Sequence, residues 1–242
     1  MNHSKIKVEK VANFGSNEPF IARFGMGLSE IIEATTFDNK DKIKEEIIGL
    51  LVECLTPAYA HLNEIRDIEN GKKERLLVDL DKAYNALYER LWVAYKDRMQ
   101  KVAALMGFNL GFLFQNDQLF EQGINNFVEK HNKIPSDFLA IIRTNRNIWQ
   151  NALAKFRNDF LEHNKLNKND VDHFFKLGAA ETIFNNCWRL VEYILVSLMI
   201  EKLHPGIGIA EIPDDKRDPS RPTKFQLYFL NPPAGEKIND KM

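Results

Sequence analysis

Apolar residues in the first half of the chain recur at the three- and four-residue spacing of a helix face. Between Asp41 and Leu55 the series Ile43, Ile47, Leu50, Leu51 and Cys54 predicts an amphipathic helix. Thr56-Pro57 is expected to break or kink it before helix resumes toward Glu69, with Asn70-Gly71 as the stop. From about Lys72 to Met106 the stripe Leu77, Leu80, Tyr84, Leu87, Leu91, Tyr95, Val102 and Leu105 faces a surface of Glu, Lys and Arg, and Gly107 ends the run. A shorter helix is expected over Asp117 to Lys130. Pro135-Ser136 then opens a further one, with Phe138, Ile142, Asn145, Trp149, Ala152, Phe156 and Phe160 along one stripe. Continued by three residues, the stripe puts His163 at its end, away from the solvated face.

A polar connector, Asn164 to Asn169, separates that helix from a last one expected over Val171 to Leu203, capped by Asn169 or Asp170. Its apolar residues lie nearly all round, which predicts a central or interfacial element. Glu181, Arg189 and Glu192 argue against a membrane span. After His204-Pro205 the pattern changes, because six of the nine prolines fall between Pro205 and Pro233. Ile207, Ile209 and Glu211 alternate with their neighbours, as do Phe225, Leu227 and Phe229, so the tail is expected to fold back as a small hairpin around the charged run 214–218. Lys5 to Val11 alternates similarly and is a candidate third strand. The expected architecture is all-α: an up-and-down bundle of about four to five long helices over residues 38–203. An N-terminal extension (1–37) and a Pro-rich tail or hairpin (204–242) flank it.

With 242 residues, 44% hydrophobic and 11% aromatic, the chain can bury a substantial core. Its 33 basic and 34 acidic residues nearly cancel, so any nucleic-acid contact must come from a local patch and not from a global field. The first nine residues lack the apolar run of a signal peptide, and no stretch reaches the roughly 18 uninterrupted apolar residues of a membrane span; a soluble, cytoplasmic protein is expected. Cys54 and Cys187 sit among apolar helical neighbours and read as reduced core residues.

Common sites are set aside on spacing. Gly25-Met26-Gly27 lacks the third glycine of a dinucleotide fingerprint, no Walker-type lysine loop occurs, and no zinc spacing is present. Glu201 and His204 form one Glu-x-x-His pair where a helical di-iron site needs two such pairs and two more carboxylates, so neither metal nor cofactor is expected. His61, His131 and His173 are expected at the surface. There remains Phe156-Arg157-Asn158-Asp159-Phe160-Leu161-Glu162-His163, which gathers an Arg, an amide and a His near a helix end. A guanidinium holds a phosphate with a fixed fork of donors and an imidazole moves protons near neutral pH, a minimal kit for cutting a phosphodiester.

Arg157 followed by Asn158, then His163 after five intervening residues, between two strongly apolar helices, resembles the motif of the HEPN superfamily. These are helical domains found in prokaryotic toxins, antiphage effectors and eukaryotic RNA-cleaving proteins. The helix pattern supports the resemblance over about residues 42–203; its specific part is Arg157, Asn158 and His163. The resemblance implies a bundle of about four helices that pairs as a homodimer, so that two copies of the motif face each other and cut RNA without metal, leaving a cyclic phosphate. It also implies a defence or toxin setting, with a protein antitoxin or regulator as a further partner. Non-catalytic members exist, so a nucleotide- or RNA-binding or regulatory module is the alternative. The toxin subgroup partnered by a nucleotidyltransferase carries a Tyr two residues after the His; Lys165 stands there in this chain, a departure from that partnership.

Six residues along an ideal helix turn through about 600° and rise about 9 Å, which leaves Arg157 and His163 about 120° apart. Either the turn distorts or a second copy completes the site. In the dimer one His163 would take the proton of a ribose 2'-hydroxyl, the other would protonate the leaving 5'-oxygen, and Arg157 would stabilise the charge on phosphorus, oriented by Asn158. The plainer alternative is that Arg157 pairs with an acid on its own helix and His163 merely occupies the last turn.

Overall fold

The apolar stripes become long helices that run against one another. The structure, a computed structural model, describes residues 18–72, 77–163, 165, 167–216 and 223–230, without the side chains of 77, 78 and 214. Continuous helices span 19–33 (α1), 40–69 (α2), 77–105 (α3), 117–130 (α4), 138–162 (α5) and Leu177–Ile200 (α6). The chain is mostly helical, with one small antiparallel sheet, as the all-α reading expects.

Pairings along the bundle fix the helix directions. Arg66 of α2 meets Glu181 near the start of α6 while Thr36, before α2, bonds Lys202 at the end of α6, so these two helices are antiparallel. Tyr95 packs on Trp149 and Tyr88 on Phe156, which makes α3 and α5 antiparallel as well. With α2 and α3 joined as a hairpin, α2, α3, α5 and α6 alternate in direction, and α6 touches the other three. Its residues from Ile194 to Met199 are all buried, which makes it the central helix that its composition predicts. It is also long and apolar enough to cross a membrane by length and composition, with 72% of its most apolar window buried in the bundle.

Several local expectations are corrected. Residues 19–33 lie in the region read as an extension, yet Phe20, Phe24, Leu28, Ile31 and Ile32 fall on one helical face and pack into the common core. Gly25-Met26-Gly27 interrupts the apolar pattern there without interrupting the helix. Thr56-Pro57 does not break α2. Residues Leu51–Leu55 form a π-helical turn, whose i→i+5 bonds shift the register before the proline, so the missing N–H and the ring are accommodated without a break. The last helix does not begin at Val171. Lys168–Phe174 is a separate 3-10 turn, and Asn167, not Asn169 or Asp170, caps it: Asn167 accepts from the Asp170 N–H while Asp170 accepts from that of Asn167, each at 3.2 Å.

The tail forms the expected hairpin. β1 (Ile207–Glu211) pairs antiparallel with β2 (Phe225–Phe229), matching Ile207 with Phe229, Ile209 with Leu227 and Glu211 with Phe225. Gly208 lies opposite Tyr228, whose ring occupies the space a Cβ at 208 would need. Cys54 and Cys187 are buried free thiols, as their neighbours suggest. The candidate strand at Lys5 to Val11, the stripe residue Leu77 and the connector residues Asn164 and Leu166 lie outside the described residues or side chains.

Candidate functional site

Phe156 anchors the end of α5. It is 1% exposed and packs its ring against Phe174 at 4.6 Å, Tyr88 at 5.2 Å and Phe160 at 5.2 Å. The Tyr88 hydroxyl donates to the Phe174 carbonyl at 2.6 Å, which ties α3 to the 3-10 turn beneath the same cluster. Burial holds that phenol well above its ordinary value, so it remains a donor. The aromatic floor thus fixes the backbone from which Arg157 and Asn158 project.

Residues Phe156–Glu162 form a π-helical turn, and the turn closes with the Lys165 N–H donating to the Asp159 carbonyl at 2.7 Å. The wider winding stacks residues five apart, which are on roughly opposite faces of an α-helix. Its consequence is an ion pair between Arg157 and Glu162, Nη2 to Oε1 at 2.5 Å. The Arg157 Nη1 also donates to the Asn158 side-chain oxygen at 3.3 Å, and its guanidinium carbon lies 5.8 Å from the Trp92 ring. The turn therefore does distort, but within one chain it joins Arg157 to an acid and not to His163.

His163 ends the turn and is exposed, which corrects its expected place at the end of a buried stripe. The stripe loses phase in the wide turn, so Leu161 still touches the core while Glu162 and His163 face solvent. Asn158 is exposed as well and Arg157 is half-buried, so all three motif residues reach solvent at one end of α5.

Other histidines differ in part from expectation. His173 is exposed, but His131 is half-buried between Phe108 and Phe127, with ring centroids 5.0 and 4.7 Å away, and faces Glu201 at 3.9 Å. Its pKa is lowered, chiefly by burial, with Glu201 opposing the shift. Glu201 also accepts from the Lys133 N–H at 3.0 Å, so it serves the end of α4 and not a pair with His204. Among the described residues no group of three or more His, Cys, Asp and Glu is placed to hold a metal ion.

Arg146 went unnoticed in the sequence. It is 8% exposed and donates to the Leu113 carbonyl at 3.0 Å, the Gln115 carbonyl at 2.7 Å and the Asp117 carboxylate at 2.9 Å, with its guanidinium 4.2 Å over the Phe120 ring. It clamps the 111–117 connection onto α5. The available signal was a charged residue on the apolar stripe, four positions after Ile142 and three before Trp149.

No family model matches this sequence, and no curated protein or solved structure matches it either.

Proposed function

We propose that the chain is a HEPN-type helical protein acting as a metal-independent endoribonuclease in a homodimer, in a defence or toxin setting under a protein antitoxin or regulator. One observation carries the reading: Arg157, Asn158 and His163 reach solvent together on a terminal turn that the Phe156 cluster anchors to α3 and the 3-10 turn. Anchored support under a solvent-facing guanidinium and imidazole is what positioned phosphate chemistry requires. Within one protomer Arg157 is engaged by Glu162, so the working site needs either a phosphate that displaces the acid or a second copy of the turn. Ion pairs this exposed contribute about 0–1 kcal/mol, and an RNA phosphate competes readily for the guanidinium.

The Arg157–Glu162 pair also favours a second reading, a non-catalytic nucleotide- or RNA-binding or regulatory module, in which the motif keeps its form without its chemistry. Incubation of the purified protein with RNA in EDTA separates the two. The nuclease reading expects cleavage by wild type, a loss of about 10²-fold or more in His163→Ala and Arg157→Ala, and a dimer by light scattering. Binding without cleavage selects the module, and a strict monomer removes the composite site.

A further inference from the structure

One turn before Arg157 on α5, a cavity of about 140 Å³ opens between α3, the connection at 111–115 and α5. Trp92 and Phe114, edge to face at 6.1 Å, wall it together with Ala154, while Gln115, Gln150 and Asn151 bring three carboxamides to its lining. Arg146 also borders it, but its charge is already met by Asp117 and two backbone carbonyls. The lining is therefore aromatic and amide-rich, with little net charge. A flat, neutral ring bearing hydrogen-bonding groups on its edge suits such a lining; a phosphate or carboxylate does not. A cavity of about 150 Å³ accepts a benzene ring, so this one has room for one ring and not a fused pair.

The polar lining is incompletely satisfied. Gln150 is 4% exposed, and its Nε2 has no hydrogen-bond partner among the described residues. That atom is sealed from solvent, on a residue that lines the cavity. The terminal torsion of a glutamine is broad, so the carboxamide turns toward an incoming acceptor at small cost. Trp92 is the common wall: one part of its surroundings is the cavity and another is the Arg157 guanidinium. Arg157 follows Ala154 by three positions, a rise of about 4.5 Å along a helix. A base in the cavity would leave its sugar-phosphate at the mouth, beside exposed Asn151 and toward Arg157.

We infer that this cavity is a base-binding subsite that takes a pyrimidine of a ribonucleotide, its face against Trp92 and its edge toward Phe114, with a ring carbonyl accepting from the Gln150 carboxamide. In taking the ribonucleotide to be part of an RNA substrate, the inference rests on the nuclease reading; the cavity chemistry stands apart from it. Both pyrimidines carry a ring carbonyl, adenine carries none, and either purine has a second ring to place.

Titration calorimetry of the full chain with UMP, CMP, AMP and ribose 5-phosphate tests this. UMP or CMP is expected to bind at least tenfold more tightly than AMP and than ribose 5-phosphate. Gln150→Leu should weaken pyrimidine binding about tenfold, and Ala154→Leu, which fills the cavity, should abolish it, with circular dichroism verifying that both variants fold. Arg157→Ala should keep the preference for pyrimidine over purine. Ribose 5-phosphate matching UMP, AMP matching UMP, unchanged affinity in Ala154→Leu, or no binding of any nucleotide would each overturn the subsite. Absence of nucleotide binding with RNA cleavage intact overturns the subsite and spares the nuclease. Pyrimidine binding without RNA cleavage does the reverse.

Discussion

Glu162 decides how Arg157 behaves. A carboxylate 2.5 Å from the guanidinium competes with any incoming phosphate, and both side chains are solvent-accessible, so the competition is settled by small differences. Glu162→Gln is expected to raise RNA affinity a few-fold at low salt and to lose that advantage as ionic strength increases, measured by fluorescence anisotropy. An unchanged affinity would mean that RNA does not contact Arg157. His131 gives a second prediction at this scale. Burial against Phe108 and Phe127 lowers its folded pKa below the ordinary 6.5, so at mildly acidic pH the unfolded chain binds more protons than the folded one. Stability from this group is fully present above pH 6.5 and falls as pH drops toward the folded pKa. A melting temperature that declines through this window in wild type, with a shallower decline in His131→Gln, is the expected outcome.

At the scale of elements, two sites show which force dominates. Gly123 lies inside α4, where Ala would ordinarily gain about 1 kcal/mol of helix propensity. A Cβ there, however, would stand 2.3 Å from the Phe112 Cβ, so the 111–114 connection would have to move. Overpacking of this kind costs about 1–3 kcal/mol, which outweighs the propensity gain, and Gly123→Ala is expected to lower the denaturation midpoint. The end of α5 depends on Phe156 more than on its motif residues. Phe156→Ala removes a fully buried ring shared by α3, α5 and the 3-10 turn and should cost about 3–5 kcal/mol in chemical denaturation. By contrast Asn158→Ala, at an exposed position, should leave stability nearly unchanged. Equal effects of the two would contradict the aromatic anchor.

At the scale of the molecule, α6 is the axis on which α1, α2, α3 and α5 meet, and it carries one buried charge. Glu192 is 2% exposed and pairs at 2.9 Å with Arg23 of α1, which also stacks on Trp188 at 4.9 Å. This pair fastens the N-terminal helix to the bundle centre. Glu192→Leu alone should destabilise the fold because it removes the buried carboxylate that Arg23 pairs with, whereas the Arg23→Met, Glu192→Leu double variant should recover part of that loss. Thermal denaturation of the two singles and the double measures the coupling; additive losses would show that the two side chains act separately.

The sequence by itself determined the helical class, the central place of α6 and the two strands of the tail hairpin, whose register the structure supplied. Each follows from short-range periodicity: Ile183 to Met199 is apolar nearly all round, and Ile207, Ile209, Leu227 and Phe229 alternate at the spacing of a strand. It also brought Arg157, Asn158 and His163 to notice, because their types and spacing are local properties. Only the tertiary structure decided that residues 19–33 belong to the core, since the glycines at 25 and 27 interrupt the apolar pattern of the face that packs on α6. The same holds for Arg146, whose partners lie about thirty residues earlier, and for Arg23 and Glu192, which are 169 positions apart. The π-helical turns belong here as well. A period of 3.6 extrapolated along α5 carries His163 inward, whereas packing of Phe156 and Phe160 on α3 and the 3-10 turn winds the chain wider and turns that imidazole out to solvent.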